Sequence, residues 1–139
     1  MKNFKLQSIA LIVFFVTLLT SCSNDNDTPK VPEFVYKTSY VTAVNGPLAG
    51  KVNQELSYEV SFTVDNSCGE FNKMTDIELD KLPGYQVEAK YATSCTPPSQ
   101  TPEVKRTIYK VKSAVKGTYY LRFTKSPTEF ITTTVVITE

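Results

Sequence analysis

Leu56-Ser57-Tyr58-Glu59-Val60-Ser61-Phe62-Thr63-Val64 is the stretch on which the fold turns. Apolar and polar residues alternate through it without a break. Every second side chain of an extended strand points to the same face, so the pattern makes one buried and one wet face. A helix would scatter the same apolar residues around its circumference. The alternation returns over 85–91, 104–112 and 119–123. Residues 34–44 and 130–138 are rich in Val, Thr, Ile and aromatics, which suit a pleated, half-buried surface. A weaker run over 74–79 completes the set. Turn-forming groups separate the runs: Asn45-Gly46-Pro47, Asp65-Asn66-Ser67, Pro83-Gly84, Pro97-Pro98, Lys116-Gly117 and Ser126-Pro127. No window carries helical periodicity with caps. The expectation is an all-β protein, a single antiparallel β-sandwich of about seven strands over 34–139.

Strand direction adds a second expectation. With strands at 34–44, 54–64, 73–80, 85–93, 104–112, 117–124 and 129–138, alternating direction puts the loops holding Cys68 and Cys95 at one end. The chain enters the sandwich at that same end. The opposite end then carries the loop 45–53, the turn 81–84 and the turn 113–116.

Gly117-Thr118-Tyr119-Tyr120-Leu121-Arg122-Phe123 is a strand entered through a glycine and carrying tyrosine. It resembles the penultimate strand of the immunoglobulin-like and fibronectin-like domains common on bacterial surfaces, which implies an Ig-like arrangement of the two sheets. The antibody-type Cys…Trp…Cys pattern is missing, because the chain has no tryptophan.

Ahead of the sandwich, Lys2 and Lys5 precede an apolar run over 9–19, and Leu19-Thr20-Ser21-Cys22 follows it. A positive start, a short apolar stretch and small residues before a cut describe a secretory signal peptide over 1–21. The run is too short for a spanning helix, which needs about 20 apolar residues. A cysteine at the cut resembles the bacterial lipobox, which implies that Cys22 is acylated and becomes the first mature residue. Residues 22–33 read as a flexible acidic, proline-bearing linker, Ser23-Asn24-Asp25-Asn26-Asp27 at its start. A lipobox followed by a short Ser/Asn/Asp tract is similar to lipoproteins of Bacteroidota. That likeness implies a lipid anchor in the outer membrane, facing the cell surface, with the periplasmic face as the alternative.

Cutting before Cys22 removes two of the 15 basic residues and none of the 14 acids, so the formal charge of +1 becomes −1. A near-neutral domain offers no electrostatic footprint for nucleic acid, and membrane contact must come from the lipid on Cys22. Of three cysteines, acylation of Cys22 leaves Cys68 and Cys95 as a pair. An oxidising compartment makes them a disulfide. The alternative is two free thiols at a redox or metal site, against which stand the lack of any CxxC spacing and of any histidine.

The absence of histidine also removes Ser-His-Asp and Cys-His catalysis. Asp76, Glu78 and Asp80 fall at every second position and would share one strand face, with Ile77 and Leu79 pointing inward. Calcium needs six or more oxygens, so these carboxylates read first as a solvated face, and no cofactor is implied. Tyr40 and Tyr85, the latter beside Pro83-Gly84, are candidate exposed binding residues. Pro97 and Pro98 sit in a stiff loop, and a rigid loop loses less entropy on binding. The expected function is a non-catalytic binding or adhesion module for a protein or glycan partner. The alternative is a structural accessory subunit of an outer-membrane or periplasmic complex.

Overall fold

The computed structural model describes residues 33–139. The expected signal peptide at 1–21, Cys22 and the expected linker as far as residue 32 lie outside the described residues. Nine strands run through the described chain: β1 (Phe34–Ser39), β2 (Val41–Asn45), β3 (Ala49–Lys51), β4 (Glu55–Val64), β5 (Gly69–Leu79), β6 (Leu82–Ala92), β7 (Glu103–Lys112), β8 (Gly117–Ser126) and β9 (Glu129–Thr138). They form two sheets. The larger runs β1-β6-β8-β9-β3, with β5 also paired to β6, and the smaller runs β2-β4-β7. The fold is all-β, two sheets face to face, as the alternation requires.

The count rises from seven to nine for two reasons. The first run breaks at Tyr40, so that β1 joins β6 in the large sheet while β2 joins β4 in the small one. The Tyr40 carbonyl accepts from the Thr63 amide at 3.0 Å and ties the crossing to β4. The following loop contributes β3, three residues beside the end of β9. From β3 onward strand direction alternates along the chain, whereas β2, antiparallel to β4, runs the same way as β3. Two pairings are nonetheless parallel, β3 with β9 and β6 with β8. Each joins strands that run the same way and became neighbours in space without being neighbours in sequence.

The inner faces interdigitate as the sequence alternates. Tyr58, Val60, Phe62 and Val64 of β4 are wholly buried, and Leu56 nearly so. They meet Val87 and Ala89 of β6, Phe123 and Leu121 of β8, and Val135 and Ile137 of β9 in one core. Burying a side chain of this size contributes roughly 1.5–3 kcal/mol. Tyr58 brings a hydroxyl into that core and satisfies it by donating to the Pro47 carbonyl at 2.7 Å. Its ring lies where a Cβ on Gly46 would be, which explains the glycine there.

Cys68 and Cys95 are joined as a disulfide, their Cα atoms 6.1 Å apart. The bond links the β4–β5 and β6–β7 loops. Glu33 reaches the same end, its carbonyl accepting from the Thr93 amide at 3.0 Å. The opposite end gathers the loop before β4 and the β7–β8 turn, where the Asn53 amide donates to the Ser113 carbonyl at 2.7 Å.

One placement reverses the expectation. Register shifts between Phe71 and Lys73, so β5 carries a bulge. One extra residue flips every later side chain to the other face. Met74 pairs with the buried Val87 and Asp76 with Tyr85, while Ile77 pairs with Gly84. Asp76 and Glu78 therefore share the parity of the inward-facing Met74, though both stay exposed as a solvated pair should, and Ile77 and Leu79 take the outer face, half-buried. Asp80 leaves the strand altogether. It forms a two-residue turn with Lys81, both at positive φ, 49° and 65°. Pro83-Gly84, expected as the turn, lies inside β6, where the Phe130 ring covers Gly84.

Candidate functional site

The two sheets close tightly over most of the sandwich and part near the end away from the disulfide. A cleft of about 410 Å³ opens there. Its floor is aliphatic: Leu56 of β4, Leu121 of β8, and Val135 and Ile137 of β9. These are inward positions of three strands, so the alternation that builds the core also builds the floor. Tyr85 of β6, Tyr109 of β7 and Tyr119 of β8 form the walls, and Gln54, Lys110, Lys112 and Ser113 stand at the rim.

The tyrosines are held in place. The rings of Tyr85 and Tyr109 lie 4.9 Å apart at a tilt, and Tyr109 meets Phe123 edge-on at 5.4 Å. Such ring pairs add about 0.5–1.5 kcal/mol beyond their buried area. The Tyr109 hydroxyl is hydrogen-bonded to that of Tyr85. Its pKa is raised above the ordinary phenol value, first by burial, then by that bond, with the Asp76 carboxylate adding to the shift. At neutral pH Tyr109 is thus a neutral hydrogen-bonding group and not a base. The Tyr119 hydroxyl donates to the Val115 carbonyl at 2.8 Å and lies 2.9 Å from the Ser113 hydroxyl. The β7–β8 turn is anchored on the same wall.

This arrangement suits the recognition of a ligand. An apolar floor with a few fixed polar tips can accept an aliphatic or aromatic side chain, or the face of a sugar ring. The side chains lining the cleft include no carboxylate, thiol or imidazole to exchange protons near neutral pH.

Of the residues singled out from sequence, only Tyr85 lines the cleft. It does so as a half-buried wall within β6 and not as an exposed residue beside a turn. Tyr40 stands half-buried at the crossing between β1 and β2. Pro97 helps to line a second hollow of about 290 Å³ at the disulfide end, with Val35, Lys37 and Tyr91, and Pro98 is exposed beside it. There Lys37 is bonded to Asp65 at 2.6 Å, an exposed pair of small energetic weight. The four candidates do not come together. Nor do the acids: Asp76 and Glu78 stay on β5 with Asp80 in the turn, and among the described residues no three acids, cysteines or histidines gather as a metal site would require.

Tyr109 and Tyr119 were not singled out from sequence. Tyr109 sits at an inward position of a strand whose alternation is visible, and Tyr119 lies in the strand used for the family likeness. The signal that could have found them is that both fall on the inward parity of their strands near the same end. Comparison with family models, with curated proteins and with solved structures finds no match to this chain.

Proposed function

We propose that the chain is a lipid-anchored lipoprotein of the bacterial cell envelope, whose sandwich is a non-catalytic binding module for a protein or glycan partner. In this reading the chain is exported, cut before Cys22, acylated there, and displayed from the outer membrane on the linker 22–33. Leu19-Thr20-Ser21-Cys22 supports the anchor. The likeness to immunoglobulin-like surface domains rests on the strand pattern and on 117–123.

The observation that carries the binding reading is the preformed cleft walled by Tyr85, Tyr109 and Tyr119. All three phenols are already oriented by ring contacts or hydrogen bonds. A site fixed in this way loses little entropy when it is filled. Sugar rings and peptide side chains are the ligands whose shape and polarity fit tyrosine walls over an aliphatic floor.

Two measurements test the proposal. Protease shaving of intact cells, with Cys22→Ala alongside, should remove the wild-type domain and leave the variant unanchored. Survival of the wild-type domain together with a periplasmic control would place it on the inner side. Titration with glycan and peptide panels, followed by the ring resonances of Tyr85, Tyr109 and Tyr119, should show those three moving together. A ligand that moves only residues around the disulfide would relocate the site. Turnover of a substrate, lost in Asp76→Asn, would replace binding by catalysis.

A further inference from the structure

The smaller sheet ends in β7, which pairs with β4 on one side only. Its ten residues keep an unbroken register from Glu103 opposite Val64 to Lys112 opposite Glu55. A free edge of this kind is a template for another strand, and proteins usually blunt it with bulges, brevity, proline or charged side chains such as lysine. Three other edges are treated that way: β2 and β5 carry register shifts, and β3 has three residues, while β1 is a shorter unbroken edge of six residues on the larger sheet. β7 has no bulge, proline or glycine and is not short, so its guard is charge alone, Lys105, Arg106, Lys110 and Lys112.

What β7 carries instead is a pattern. Its outward side chains read Val104, Arg106, Ile108, Lys110 and Lys112, with Val104 60% and Ile108 57% exposed. Basic and apolar residues therefore alternate along the outer face. Its inward side chains include Tyr109 and Val111, which line the cleft.

From this we infer that β7 is the docking edge for an extended acidic peptide segment of a protein partner, added as a fourth strand to the smaller sheet with one apolar side chain seated in the cleft. This rests on the binding-module reading and narrows its partner to a protein. The charges select the occupant. Carboxylates four residues apart on the added strand would lie beside Arg106 and Lys110. These are now held only by exposed acids, Glu59 at 3.8 Å and Glu55 at 2.7 Å, so the exchange costs little. An apolar residue between the carboxylates would cover Ile108, and one beyond them would cover Val104. The inward position must be apolar, because the cleft floor it meets is Leu56, Leu121, Val135 and Ile137. A second copy is a poor occupant: antiparallel pairing of two β7 strands about Ile108 sets Arg106 against Lys110, and like charges in register are destabilising. The backbone ladder would supply affinity, and the alternate side chains specificity.

The test uses the full chain and three synthetic ten-residue peptides. The first places glutamates four apart on one face with valine between them, and leucine on the other face. The second shifts the glutamates by one residue, which moves them to the cleft side. The third replaces glutamate by lysine. The first should bind, slow amide exchange over 103–112 and move Tyr109 and Tyr119, and the second should bind at least tenfold more weakly. Arg106→Glu/Lys110→Glu should weaken the first peptide tenfold or more and favour the third. Arg106→Gln/Lys110→Gln gives the same loss without placing like charges beside Glu55 and Glu59. Equal binding of the first two peptides, or no slowing of exchange over 103–112, would overturn strand addition. A glycan or peptide that moves the three tyrosines without that slowing would also overturn it, yet keep the cleft as a binding site. Failure of every ligand to move those rings would end both readings. Slowed exchange that depends on protein concentration alone would make the occupant a second copy and overturn the proposal.

Discussion

Tyr109 is a phenol partly withdrawn from water, bonded to another phenol and near a carboxylate. All three influences favour its neutral form. Its folded pKa is therefore higher than its unfolded value of about 10, and the sign of the linkage follows. The contribution is fully present below pH 10 and is lost as pH rises through the folded pKa, because only the unfolded chain ionises easily there. Denaturant midpoints should thus fall between about pH 10 and 12, and Tyr109→Phe should flatten that fall. An equally steep decline in the variant would show that other groups cause it. Gly84 is a second residue with a defined consequence. A Cβ there would lie 2.4 Å from the Phe130 ring and 3.0 Å from the Arg122 carbonyl. Gly84→Ala should cost about 1–3 kcal/mol by overpacking, read as a lowered denaturant midpoint. Pro83-Gly84 looked like a turn in sequence because those residue types usually make one. The physical demand at Gly84 is instead a close ring on the outer face of the large sheet. That contact joins residues 46 positions apart, Gly84 and Phe130, and no local pattern announces it.

Among the elements, the β5–β6 hairpin is the least well matched to its own residues. Its turn holds Asp80 and Lys81 at positive φ, where Asn-Gly is the preferred pair. Side chains with a Cβ lose roughly 1–2 kcal/mol in that region. Asp80→Asn with Lys81→Gly should raise stability by about 1 kcal/mol, the glycine's extra unfolded entropy offsetting part of the relief. Chemical denaturation should show a higher midpoint at unchanged slope. No gain would mean that the turn is held by more than its own dihedrals. The same element shows why some strands were legible and others were not. β4 and β7 keep a period of two from end to end and β9 is rich in strand-forming residues, so the bounds of all three were readable to within a residue or two. β5 contains a bulge, which breaks the period without leaving a recognisable residue, since neither Phe71, Asn72 nor Lys73 is a glycine or proline. The faces of Asp76 and Ile77 were misassigned for that reason. β3 was missed because three residues cannot show a period.

At the scale of the whole molecule, the disulfide joins two loops 27 residues apart in sequence. Loop closure of that length is worth roughly 3.5 kcal/mol in the chain-entropy account. Cys68→Ala/Cys95→Ala should lower stability by about that amount, and reduction of the native chain should match it. A far smaller loss would mean that strand pairing alone already confines those loops when the chain unfolds. The pairing was legible because direction alternates and parity places both loops at one end. The cleft was not. It depends on how far two sheets part, which arises from the packed volumes of side chains on five strands. The end at which Glu33 joins the sandwich has one more consequence, a mechanical one. A pull delivered through Glu33 and resisted by a partner at the cleft runs along the strand axes. It loads the six pairings of β1 with β6 together in shear, where a pull across the sheet would peel them in turn. Beyond them lies the covalent Cys68–Cys95 tie.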